Sequence, residues 1–282
     1  MESSLKDLEK AKKVYSTCIS RTLSHGTTTA AYFATTDVAA TNLLADLCLS
    51  AGQRGFIGRV CMDSNLQPEW YRDESPEQSV ALTEATIAHI KSIDPEYKIV
   101  SPIITPRFAP SCTSQTMHGL GDLAAKTGLP IQTHISENKG EVALVNEMFP
   151  ELDSYTHVYD HHKLLTPRTI LAHAIHLSEE EADLIKKRDA KVSHCPVSNS
   201  SITSGAARVR WLLNKGIDVG LGTDMSGGYS PSILEAVRQA GLVSRHVAMV
   251  EGDEAKLSVE EVLYLGTKGG AKVVGLEELC TQ

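Results

Sequence analysis

His134 in PIQTHISEN, His173 in TILAHAIHL and Asp224 in DVGLGTDMSGG each close a short apolar run rich in β-branched residues. Two imidazoles and a carboxylate are donors that suit zinc, and Glu137, three residues past His134, is an acid placed to move the proton of a water. The chemistry such a set predicts is hydrolytic. It requires that residues far apart in sequence meet at one point, and the elements that could arrange this are parallel strands whose C-terminal ends ring one mouth of an alternating strand–helix barrel.

The spacing predicts those elements. A first helix carries Leu5, Leu8, Ala11, Val14, Cys18 and Ile19 on one face and ends near Gly26. Strands are expected over residues 25–34, 55–61, 98–108, 130–137, 169–176, 191–196 and 218–224, and their nearly continuous apolar character is that of parallel strands covered by helices. Ser178 with Glu181 and Ser258 with Glu261 fit the capping box, Ser230-Pro231 fits an N-cap with proline at the first helical position, and Gly216 suits a helix end after Val209, Leu212 and Leu213. Seven strand runs behind a leading helix predict an α/β chain of the (β/α)8 TIM-like class over residues 1–282, holding strands two to eight and lacking the first. An edge would then stand open between the strands near residues 25 and 218, to be filled from upstream or by another chain.

Composition narrows the function. The 282 residues are 41% apolar, enough for a sizeable core, and carry a net charge of -8 with no basic stretch, which argues against a nucleic-acid partner. No apolar run approaches the roughly 20 residues that span a bilayer. The six cysteines are scattered without a CxxC pair and follow no signal peptide, as expected of reduced thiols in a cytoplasmic protein.

The ordered series ITPRF at 104–108, THISE at 133–137, AHAIHLS at 172–178, SHCPVSNSSITSG at 193–205 and GLGTDMSGG at 220–228 resembles the guanine deaminases of the amidohydrolase superfamily. The ordering carries the resemblance, and PRF is the piece that points past the superfamily towards guanine. The resemblance implies a metal-dependent barrel hydrolase that takes a small-molecule purine from guanine to xanthine and ammonia, with one Zn2+ per subunit, as a homodimer. It further implies that His134 and Asp224 hold the metal, that His173 stands beside the reacting water, that Glu137 carries a proton between water and the purine ring, and that Arg107 and Phe108 hold the base. The family's pattern also has a His-x-His pair at the end of the first strand and a small β-sandwich layer. Neither is found in this sequence, where the near-neighbour histidines are the adjacent His161-His162, read as a loop, and His173 with His176. The resemblance therefore predicts weak metal binding.

Each residue also has a plainer use. His173 could be a hydrogen-bonded structural histidine, Asp224 a turn former, Glu137 an acid at a helix start, and Arg107 a surface ion-pair partner. His194 and Cys195 read as structural or pocket-wall residues, since neither has a spacing that completes the metal set. The functional alternatives are an amidohydrolase for another heterocycle, discriminated by Arg107 and Phe108, and a non-catalytic truncated product.

Overall fold

The computed structural model describes residues 2–280. They form two compact units, one of residues 2–132 with His162–Leu164, the other of residues 133–161 with 165–280.

In the first unit, α1 (Leu8–Ser24) starts at Asp7, whose carboxylate accepts from the amides of Glu9 and Lys10 at 3.1 and 3.2 Å. Its buried stripe is Ala11, Tyr15, Ile19 and Thr22, spaced by four, four and three residues. The expected face included Leu8 and Val14, but these lie in the first turn and at the stripe's edge and stay 45% and 43% exposed. Strand β1 (Thr29–Phe33) leads into α2 (Val38–Ala51), capped by Asp37 and closed by Gly52 at a φ of 70°. The stripe of α1 packs with Ala40, Leu44 and Cys48 of α2, and with Ile57 and Val100, into one core cluster.

The strand expected over 55–61 is two pieces, β2 (Arg54–Gly58) and β3 (Val60–Cys61). The break is at Arg59, whose fully buried guanidinium pairs with Asp73 and donates to the Thr36 carbonyl. After α3 (Pro76–Ile93), the run expected over 98–108 is likewise split into β4 (Val100–Pro102) and β5 (Thr105–Pro106), because a proline with no N–H closes each ladder. Strands β1, β2 and β4 form one parallel sheet in that order, and β3 pairs with β5. Helix α4 (Ser114–Thr127) follows.

The second unit is built on a parallel sheet in the order β6 (Ile131–Ile135), β7 (Thr169–His173), β8 (Lys191–His194), β9 (Val219–Leu221). Each strand is shorter than its apolar run. Between them come α5 (Lys139–Met148), α6 (Tyr155–His161), α7 (Glu179–Lys187), α8 (Pro196–Ser201) and α9 (Val209–Asn214), and after them α10 (Ile233–Glu251) and α11 (Val259–Tyr264). Both expected capping boxes form, at Ser178/Glu181 and Ser258/Glu261, and Gly216 takes a φ of 76° just past α9. The expected cap at Ser230 sits two residues late. Ser232 caps α10 by accepting from the Glu235 amide, and the Ser230 hydroxyl instead holds the Ser232 amide at 3.2 Å. His161 ends α6 rather than lying in a loop. Among the described residues no helix is long and apolar enough to cross a membrane.

Candidate functional site

The candidate site of the second unit is assembled at the C-terminal ends of its strands. His134 is the penultimate residue of β6, and its carbonyl is pinned from α6, accepting from the Tyr159 hydroxyl at 2.7 Å and the Tyr155 hydroxyl at 3.4 Å. Beyond β6 the chain turns sharply. Ser136 takes a φ of 48°, Glu137 follows, and Asn138 caps α5 by accepting from the Glu141 amide. Glu137 thus precedes the helix instead of serving its first turn.

Strand β7 ends in two successive non-glycine residues of positive φ, His173 at 73° and Ala174 at 51°. Such conformations cost about 1–3 kcal/mol each and persist where the surroundings enforce them. Here the amide of Ala174 donates to the Ile135 carbonyl and those of Ile175 and His176 to the Ser136 carbonyl, tying the bend to the end of β6. The result turns the His173 imidazole, 2% exposed, into a polar cluster. Its Nδ1 is 2.8 Å from Asn199 Oδ1 and 3.7 Å from Glu137 Oε1, and its ring stacks on that of His134 with centroids 5.2 Å apart. Glu137 Oε1 also accepts from the Ser204 hydroxyl at 3.2 Å.

Asp224, at a φ of 43°, lies three residues past β9 in a turn where its carbonyl accepts from the Gly228 amide at 2.7 Å. A Cβ at Gly227 would approach Asp224 Oδ2 to 2.7 Å, and one at Gly228 the Thr223 carbonyl to 2.7 Å, so the two glycines are what let the turn close around the carboxylate. Cys195, just past β8, is buried. Burial and then the Asp224 and Glu137 carboxylates push its thiol pKa well up, so it stays a neutral thiol. Its neighbour His194 is 1% exposed and held down to a pKa of about 3 by burial and by His173.

The structure therefore brings His134, Glu137 and His173 together, while Asp224 is linked to them only through Cys195, whose thiol feels both the Asp224 and the Glu137 carboxylates. Arg107 and Phe108 belong to the first unit, just beyond β5. The Arg107 fork is engaged by the Glu2 carboxylate at 2.8 and 3.1 Å, and that carboxylate also accepts from the Tyr71 hydroxyl at 2.9 Å. The ion-pair reading of Arg107 thus describes what it does here, at a half-buried position. Phe108 closes a tight turn with Ser111, whose hydroxyl donates to the Phe108 carbonyl at 2.8 Å. His162 is buried, 2.7 Å from the Ser114 hydroxyl and packed against the His118 ring.

Asn199 and Ser204, which orient His173 and Glu137, were not singled out in the sequence. Both lie in SHCPVSNSSITSG, so the motif contained them, but asparagine and serine there read as ordinary helix-end and turn formers.

The donor set was tested against a metal. His134 and Asp224 are nitrogen and oxygen donors of the kind zinc accepts, yet a hydrolytic zinc takes at least three protein ligands. Among the described residues, no three ligand atoms drawn from His134, Glu137, His173 and Asp224 come within 4.8 Å of one another. These side chains alone do not fit a resident catalytic ion.

Residues 1–279 match the amidohydrolase family model. The probable guanine deaminase of Schizosaccharomyces pombe is 55% identical over 275 residues, covering 97% of this chain and 52% of that protein. The guanine deaminase of Homo sapiens is 42% identical over 276 residues, covering 98% and 60%. Among solved structures, guanine deaminase from C. acetobutylicum with guanine bound superposes with a TM-score of 0.92 at 37% identity, over 97% of this chain and 65% of that one. The chain thus spans 52–60% of the length of these two curated relatives. With one family model running through every strand end described above, the chain belongs to the amidohydrolase family.

Proposed function

We propose that this chain serves the hydrolytic deamination of guanine, in which guanine and water give xanthine and ammonia. The observation that carries the reading is His173 held between Asn199 and Glu137 beside His134, in a chain 37% identical over 97% of its length to a guanine deaminase solved with guanine. A C–O bond forms to the ring carbon bearing the exocyclic amine, the C–N bond breaks, and a proton must pass from the attacking water to the purine. Glu137 is the group for that transfer, since it stands free of any helix and within reach of His173, and can protonate the ring nitrogen next to the attacked carbon. His173, its Nδ1 anchored to Asn199, offers Nε2 to the water, and Asp224 can take the water's other proton and pass it to the departing amine, which leaves as ammonia.

Arg107 and Phe108 are the base-holding pair in this reading. The guanidinium is a planar fork of donors suited to a carbonyl and a ring nitrogen, and Phe108 supplies a stacking face. The carboxylate of Glu2 already satisfies that fork with two acceptors, which is the pattern of partner this reading assigns it. Zinc is the ion we assign to the family's metal dependence, with His134 and Asp224 as the two donors this chain gives it. Homodimerisation and a cytoplasmic location complete the reading on the strength of the resemblance alone.

The test is conversion of guanine to xanthine, followed by ultraviolet absorbance, by the purified zinc-supplemented chain and its Glu137→Gln variant. Xanthine formation that is lost in the variant supports the reading. Turnover of a different aminoheterocycle with guanine untouched assigns the site to another substrate.

A further inference from the structure

Polar atoms without partners gather around His173. Among the described residues, His194 Nδ1 and Nε2, Asn199 Nδ2 and Ser136 Oγ are all buried and make no hydrogen bond. They are not scattered. Asn199 binds His173 through its other amide atom, and Ser136 carries the carbonyl that holds the turn beyond His173. His194 is placed by the sheet: β7 and β8 pair Ile170 with Lys191, Leu171 with Val192 and Ala172 with Ser193, so the two strands end together at His173 and His194, and the imidazoles are close enough for His173 to disfavour charge on His194.

An unmade hydrogen bond costs about 1–3 kcal/mol for each buried group. A folded chain keeps several at one point where something other than the chain completes them. Asn199 Nδ2 and Ser136 Oγ offer hydrogens, and His194, a neutral imidazole throughout the working pH range, offers one N–H and one lone pair. The set is rich in donors and lies at the strand ends. Its complement is a flat, neutral heterocycle with ring-nitrogen or carbonyl acceptors on its edge.

We propose that His194 is a ligand-contacting residue of this site, donating a hydrogen bond to the acceptor edge of the bound heterocycle alongside Asn199 and Ser136. The inference rests on the reading of the site as one for an aminopurine and adds to it a specificity contact from β8. It also gives the role of a buried imidazole that neither packs like an apolar side chain nor pairs like a structural one.

The test compares the parent chain with His194→Leu, which removes both ring nitrogens, and His194→Gln, which restores a donor and an acceptor. Guanine affinity and turnover are measured in the zinc-supplemented protein. His194→Leu is expected to raise Kd and KM for guanine about 10- to 100-fold, the range of one lost hydrogen bond to a desolvated partner, with kcat changed far less. His194→Gln should recover most of the loss. The ligand-free melting temperature of His194→Leu should equal or exceed that of the parent, because two unmet polar atoms are gone. Unchanged affinity in His194→Leu overturns the inference, and so does a ligand-free melt lowered by several degrees. Should His194→Leu not fold, imidazole 15N resonances of the parent decide: a His194 signal that does not move when guanine is added overturns the proposal. A parent that binds another aminoheterocycle but not guanine overturns the substrate reading while leaving the His194 comparison to be made on that base; a parent that binds neither overturns both.

Discussion

Glu137 and His173 sit 3.7 Å apart, closer than chance would put an acid and an imidazole in a largely buried cluster, yet longer than a hydrogen bond. That spacing leaves Glu137 Oε1 to the Ser204 hydroxyl rather than locked in a pair with His173, as the proposed proton transfer requires. Replacing it with glutamine preserves shape and hydrogen bonding but removes the transferable proton, so kcat for guanine should fall by about 10^2–10^4-fold with KM within a few-fold, read by steady-state kinetics. In the proposed reaction Arg107→Lys is expected to act on binding instead. It keeps the charge and loses the fork, and should cost about 2–4 kcal/mol in kcat/KM, or roughly 30- to 1000-fold. His194 sets a pH dependence of its own. Its folded pKa of about 3 lies below the ordinary value of 6.5, so from pH 6.5 down to 3 the unfolded chain takes up a proton that the folded chain refuses. Its titration therefore costs nothing above pH 6.5 and lowers stability progressively as pH falls through that window, by up to about 1.4 kcal/mol per pH unit. Melts between pH 7 and 4 should fall less steeply in His194→Leu than in the parent. His134, Glu137, His173 and Asp224 were legible in the sequence because each is a polar residue at the end of an apolar run. Asn199 was not, because its importance lies in the atom it offers His173 and not in its type.

At the scale of elements, helix starts read better than strand ends. Ser178 and Ser258 act through residues three positions away, a local rule the sequence states outright, whereas a strand stops where its ladder stops. Apolar character continues past that point: the run expected to reach residue 176 leaves the ladder at His173, whose positive φ no hydrophobic pattern reveals. The splits at Arg59 and at Pro102 and Pro106 have the same origin, since burial persists while backbone pairing lapses. The clamp on β6 gives a measurable consequence. Tyr159 donates to the His134 carbonyl while accepting from the Thr133 hydroxyl at 2.9 Å, all buried beneath the site. Tyr159→Phe should destabilise the chain by about 1–3 kcal/mol in urea denaturation, the cost of the carbonyl and hydroxyl left with poorer partners.

The chain carries a net charge of -8 with no basic stretch in its sequence, which fits a small neutral ligand better than a polyanion. Its likeness to longer relatives runs over 52–60% of their length. In the zinc site proposed above His134 and Asp224 are the two donors, and two donors hold an ion weakly. Elemental analysis of the purified chain after dialysis should find well under one zinc per chain; stoichiometric, tightly held zinc would show that other side chains complete the site. The barrel class was legible from the alternation of apolar runs and amphipathic stretches, because that pattern is set by burial on both faces of a parallel sheet.

Gly227 and Gly228 carry no side chain that could be lost, yet the turn around Asp224 has no room for one. In a library in which every residue of this chain is varied and functional clones are sequenced, positions 227 and 228 should tolerate as few substitutions as Asp224 itself. Drift in this stretch is then limited by free space rather than by chemistry: a change at Asp224 would relieve position 227, whereas 228 stays closed by the Thr223 carbonyl.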